Sequence, residues 1–233
     1  MTLIRPGFFR AAAALALFAA APLAAQRAGD AGTFRVYVEG REVGTEEFTI
    51  TQTGSGAAAV VVASGRVNLR LATGSLELSP RLRATGVSAD PVQYQVDVGG
   101  DSPQRIVGNI GGGRVSAKIV TAAGEQLREY VAASGALVLD EGVAHHYYFL
   151  AQRTHAGRVP ILIPRENRQV LATVTSRGEE NVQIGGRTAS LFHLVVQPQG
   201  MEERHVWVDA LNRVVKVEVP GRGYQAVRTE LPR

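Results

Sequence analysis

The stretch Val92-Gln93-Tyr94-Gln95-Val96-Asp97-Val98 places an apolar side chain at every second position. Successive side chains of a β-strand point to opposite faces, so this spacing gives one buried face and one wet face. The same alternation occurs in Val67-Asn68-Leu69-Arg70-Leu71 and in Phe34-Arg35-Val36-Tyr37-Val38. A solvated face marks an antiparallel sheet, because a parallel sheet is covered by helices on both sides.

Working outward, Gly-Arg pairs stand at 40–41, 65–66, 113–114, 157–158, 186–187 and 221–222, mostly before or between alternating segments. Glycine reaches positive φ without strain, which tight hairpin turns require, so the pairs read as turns. Ser64-Gly65, Gly54-Ser55-Gly56 and Gly111-Gly112-Gly113 read as turns for the same reason. The intervals are uneven, which argues against a solenoid or propeller. Strands are expected at 33–39, 42–52, 57–64, 66–72, 75–86, 92–98, 104–110, 114–121 and 126–132. The second half adds 159–163, 169–177, 180–185, 189–197, 203–209, 213–219 and 223–231. The expected class is all-β with minor α: a strongly curved antiparallel sheet or an unclosed β-barrel with one short helix.

That helix is expected over Val143 to Arg153, capped by Asp140, with Val143, Tyr147 and Leu150 on one face and packed against the concave side or the open end of the sheet. Ile161-Leu162-Ile163 lies between Pro160 and Pro164 and reads as a buried strand or a lip over the sheet, with the two prolines favouring an edge position.

The first 25 residues have the three parts of a secretory signal peptide. Arg5 and Arg10 precede an apolar run from Ala11 to Ala21, Pro22 breaks it, and small residues follow. The run is shorter than the roughly 20 residues a membrane-spanning helix needs. Cleavage after Ala25 leaves one β-rich domain, 26–233, in the periplasm or outside the cell. The chain has no cysteine, so disulfides, thiolate metal sites and a cysteine nucleophile are absent. The net charge of +4 includes Arg5 and Arg10 with no acid in the leader, which leaves +2 on the remainder. Only Lys118 and Lys216 are lysines and the arginines are spread singly, so no nucleic-acid surface is expected. No later segment is long and apolar enough for a transmembrane helix.

No catalytic motif stands out. His145 and His146 are adjacent and point apart on a helix, His155 lies beyond it, and His193 shares a strand face with Leu191 and Val195. None has regular metal-ligand spacing, and no metal or cofactor is expected. Glu179-Glu180 and Glu202-Glu203 are paired acids, but neighbours on a strand face opposite sides. Tyr147, Phe149, Phe192 and Trp207 are the aromatics expected to line an apolar hollow, with core packing as the alternative.

The opening Phe34 to Gly40 with Val43-Gly44 resembles a family of exported bacterial proteins of unknown function. So do Gly178 to Val182, Gly185-Gly186-Arg187, Trp207-Val208-Asp209, Arg213-Val214-Val215 and Arg228 to Leu231. That family is similar in fold to the periplasmic carrier of outer-membrane lipoproteins, an unclosed barrel that holds acyl chains in an apolar hollow. The resemblance implies a lipid-like or other apolar ligand and defines no site residue. Three readings follow: a non-enzymatic binder of an apolar molecule, an envelope adaptor pairing with a protein partner through an exposed strand edge, and a hydrolase or metal enzyme.

Overall fold

The computed structural model describes residues 27–232. The signal peptide read at 1–25 lies outside the described residues. Among them, fifteen strands form one sheet. The first eight are β1 (Arg27–Val38), β2 (Arg41–Thr53), β3 (Val60–Leu71), β4 (Gly74–Thr85), β5 (Asp90–Gly100), β6 (Gln104–Gly111), β7 (Arg114–Thr121) and β8 (Gly124–Val131). A crossover carries β9 (Leu137–Val138), a 3-10 turn over Ala144–His146 and the helix α1 (Tyr147–Arg153). The chain returns through β10 (Gly157–Ile163), β11 (Arg168–Ile184), β12 (Arg187–Pro198), β13 (Arg204–Val208), β14 (Val214–Val219) and β15 (Tyr224–Arg228).

The topology is two meanders joined at the middle of the sheet. Strands β1 to β8 run outward in order, the chain crosses to the far edge, and β9 to β15 run back until β15 pairs with β1. Every pairing is antiparallel except the short parallel contact of β9 with β10. No ladder joins β8 to β9, so the sheet is an unclosed, curved barrel, as the alternation predicts. Register shifts interrupt the β1–β2, β4–β5, β11–β12 and β13–β14 ladders, and each such bulge tightens the local twist that bends a sheet.

The two edges differ. β9 is buried and packs near β5, whereas β8 is exposed along its length, with Leu127 81% and Val131 69% exposed. β10 lies one strand in from the edge, and β9 covers Ile161 and Leu162 just beyond Pro160.

The inner face carries the core. Phe34, Ile50, Leu78, Leu82, Tyr94 and Ile106 from the sheet meet Leu137, Phe149 and Leu150 from the crossover, all buried. The protein thus fills the middle of its own concavity with residues 137–151, which act as a plug. Burying each large side chain contributes about 1.5–3 kcal/mol.

Three expectations need correction. The segments 57–64 and 66–72 are one strand, β3, and Ser64-Gly65 lies inside it rather than in a turn. Glycine is required there because a Cβ on residue 65 would sit 2.6 Å from His145 Cε1 of the plug. Likewise 169–177 and 180–185 are one strand, β11, with Gly178 (φ +87°) at its bulge. The expected helix over Val143 to Arg153 is shorter, a 3-10 turn followed by seven α-helical residues, and Asp140 does not cap it.

Gly65→Ala is therefore expected to lower stability by about 1–3 kcal/mol through overpacking. Gly111→Ala, with nothing within 4 Å of the added methyl, is expected to leave it nearly unchanged. Equal urea midpoints for the two variants would contradict the close contact of β3 with the plug.

Candidate functional site

The plug is held by a buried carboxylate. Glu46 on β2 shares the inner face with Phe48 and Ile50 and is fully buried. Its Oε2 accepts the Ala144 amide at 2.7 Å, and its Oε1 accepts the His145 amide at 2.9 Å and the His145 Nδ1–H at 2.6 Å. These are the first amides of the 3-10 turn, so a residue 98 positions upstream performs the capping expected of Asp140.

Asp140 does different work. Its carboxylate accepts the Tyr94 hydroxyl at 2.6 Å and Arg165 Nε at 2.8 Å, tying the plug to β5 and to the turn after β10. Burial, reinforced by Asp140, keeps the Tyr94 phenol far above its ordinary value. His146 Nδ1 accepts the Asp140 amide at 3.2 Å. Burial, then His145 and Arg165, drive its imidazole well below its ordinary value, so it is neutral. The two Nε2 atoms of His145 and His146 are buried without protein partners. Both rings are enclosed, so this network is structural.

Above the plug, at the mouth of the barrel, a cavity of about 850 Å3 remains. Its apolar wall includes Val38, Val43, Leu69, Leu71, Leu76, Val143, Tyr147, Val217 and Val219. Small-molecule sites commonly measure roughly 300–1,000 Å3 with such walls and a few placed polar groups. The polar groups here are arranged by the sheet register. Val38 pairs with Arg41 on one side and with Tyr224 on the other, and Tyr224 pairs with Val219. Directly opposed residues share a face, and Val38 alternates with the buried Val36 and Phe34. Arg41, Val38, Tyr224 and Val219 therefore form one row across the inner face at the mouth.

The Tyr224 hydroxyl is buried and has no partner, and burial with nearby Glu46, Tyr147 and Glu141 keeps it a phenol. At the rim, Glu141 is neutralised by Arg204 and by Arg222 (2.9 Å), and Arg222 also pairs with Glu202 at 3.0 Å.

A second cluster lies on the outer face. Trp207 stacks on His193 with centroids 4.4 Å apart, its Nε1–H donates to Glu180 at 2.9 Å, and Lys216 sits 4.5 Å from its ring centroid. His193 Nδ1 meets Glu180 at 2.7 Å, His193 Nε2 meets His205 Nδ1 at 2.8 Å, and His205 Nε2 meets Glu203 at 2.9 Å. Hydrogen bonds from Trp207 and His193 hold the Glu180 carboxyl below its usual range. Every ring nitrogen in this chain is engaged, and neither imidazole bonds a serine or threonine hydroxyl among the described residues.

The four expected lining residues separate. Tyr147 lines the mouth cavity. Phe149 is enclosed in the core, Phe192 is half-buried against His155 with centroids 5.9 Å apart, and Trp207 belongs to the outer cluster. Among the described residues no three metal-ligating side chains gather, and no helix is long and apolar enough to cross a membrane.

No family model and no curated protein matches the sequence. Among solved structures, the chain is similar to a β-barrel-like protein of domain of unknown function DUF1849 from Brucella abortus. The TM-score is 0.55 at 9% identity, over 85% of this chain and 93% of that one. At that identity the likeness is one of fold.

Two outcomes follow from the plug network. Glu46→Ala strands three buried donors, each costing about 1–3 kcal/mol, so a loss of about 3 kcal/mol or more is expected in urea unfolding. His146 binds a proton less readily folded than unfolded. Its contribution is complete above its ordinary value of 6.5 and is lost as pH falls below it. Between pH 6.5 and 5.5 stability should drop with a slope of up to about 1.4 kcal/mol per pH unit, and His146→Asn should flatten it. A slope identical in both proteins would remove His146 as its source.

Proposed function

We propose that this chain is an exported, non-enzymatic protein that takes a small apolar or lipid-like molecule into the mouth cavity of its curved sheet. The observation that carries the reading is the contrast within one concavity. The middle is packed solid by residues 137–151, while the mouth keeps about 850 Å3 bounded mainly by aliphatic side chains and two tyrosines. A core that needed only stability would close such a space, because voids forfeit dispersion contacts. The leader-like first 25 residues point the same way, as does the resemblance to an exported family of unknown function that is itself similar in fold to an acyl-chain carrier. Export is the compartment in which such a carrier would meet lipid, and sequencing the amino terminus of secreted material tests it.

The competing readings are weaker on physical grounds. The uncovered β8 edge is what an adaptor would use, but its outer face carries the Lys118–Glu125 and Arg114–Glu129 ion pairs. Charges of this kind guard an edge against pairing. Among the described residues, the acids and histidines that an enzyme would need meet in the plug, where both rings are enclosed, and in the outer-face chain, where every ring nitrogen already has a partner.

Val43 stands on the cavity wall and is only partly buried. Val43→Trp should fill the hollow and weaken binding of an apolar fluorescent probe such as N-phenyl-1-naphthylamine by about tenfold or more, roughly 1.4 kcal/mol. The same substitution at Val87, an exposed residue outside the cavity, should have no effect. Probe binding unchanged by Val43→Trp would place the ligand elsewhere.

A further inference from the structure

The cavity has a second property that bears on what it accepts. Among its inward-facing groups, two hydrogen-bond donors lack a protein partner: the Tyr224 hydroxyl, buried, and the Arg41 guanidinium, exposed at the mouth. They lie in the same row, separated by Val38. The inward position of Arg41 is imposed by the bulge between the Gly44 and Glu42 pairings, which inserts Val43 as an extra residue in β2. Before the bulge, even-numbered residues such as Glu46, Phe48 and Ile50 face inward. Beyond it, Arg41 opposes Val38 inside and Glu42 opposes Tyr37 outside. A bulge re-aims side chains in this way, and here it exchanges an acid for a cation on the inner face.

The two acids beside the plug at the mouth are already paired with other groups. Asp140 is held by Arg165 and Tyr94, and Glu141 by Arg204 and Arg222. Arg70 alternates with the inward Leu69 and Leu71, Glu42 opposes the outward Tyr37, and both reach only the rim of the cavity. Glu39, in the β1–β2 turn, leans across the β1–β15 seam against Gly223. Arg41 has no ion pair among the described residues.

Resting on the proposed function above, we propose that the cavity selects an amphiphile with one apolar chain and an anionic head, the chain on the aliphatic wall and the head at Arg41. An arginine fork suits a carboxylate or a phosphate, and a charge-assisted bond at a half-desolvated mouth is stronger than one to a neutral hydroxyl.

The test compares three probes of equal chain length, dodecanoate, dodecanol and dodecylamine, each below its micellar or solubility limit. Their affinities for the protein lacking its leader are measured by displacement of the naphthylamine probe. Dodecanoate should bind about tenfold tighter than dodecanol, the worth of one charge-assisted bond. Arg41→Gln should remove that advantage, while Arg187→Gln, at an exposed hairpin position outside the cavity, keeps it. Circular dichroism verifies that each variant folds, which is expected at exposed hairpin positions. If the three probes bind alike, if the amine binds best, or if Arg41→Gln leaves the acid's advantage intact, the anionic selectivity is wrong although the apolar cavity stands. If none of the three displaces the naphthylamine probe, both this inference and the apolar-ligand reading fall.

Discussion

The buried carboxylate of Glu46 is the constraint on which the interior depends. An unpaired buried carboxylate is too costly to keep, and Glu46 is stable only because two backbone amides and one imidazole N–H converge on it. In return, the crossover between the two meanders has one place to sit. With His145 fixed against Gly65 and Asp140 fixed between Tyr94 and Arg165, residues 137–151 fill the middle of the sheet. The mouth cavity is what remains above them, so its depth is set by polar contacts and not by the sheet alone.

Much of this was legible as alternation. Period-two patterning in Phe34 to Val38, Val67 to Leu71 and Val92 to Val98 placed those strands and their buried faces, and the class followed. What alternation cannot carry is long-range contact. Gly65 looked like a turn because glycine is usually free backbone; here it makes room for a ring 80 residues away in the chain. The helix start was assigned to Asp140 because caps are normally local, whereas Glu46 comes from the second strand. A signal for Glu46 did exist, since it shares parity with Phe48 and Ile50 and so is a charge on a greasy face.

The site was less legible for a related reason. Of the aromatics chosen for size alone, Tyr147 reaches the mouth cavity and Trp207 stands on the opposite face of the sheet. Parity would have separated them once the strand pairings were known. Arg41 was invisible even to parity, because extending the pattern of Phe48 and Ile50 assigns Glu42 to the inside; only the bulge at Val43 reverses it. Bulges, which leave no mark in composition, thus decide which charge faces the ligand. The outer Glu180–His193–His205–Glu203 chain shows the opposite limit: residues that suggest chemistry in a sequence can be fully occupied with one another in the fold.

A plugged concavity that keeps one open apolar chamber is the feature from which the ligand reading starts. A crystal structure of residues 26–233 soaked with 1-bromodecane tests it most directly, because bromine marks the alkyl chain's position by anomalous scattering. The predicted result is a single peak between Val43, Leu71, Tyr147 and Val219, with the Glu46 contacts to Ala144 and His145 intact. A chamber that stays empty, or bromine found where Phe149 and Leu150 now pack, would contradict it.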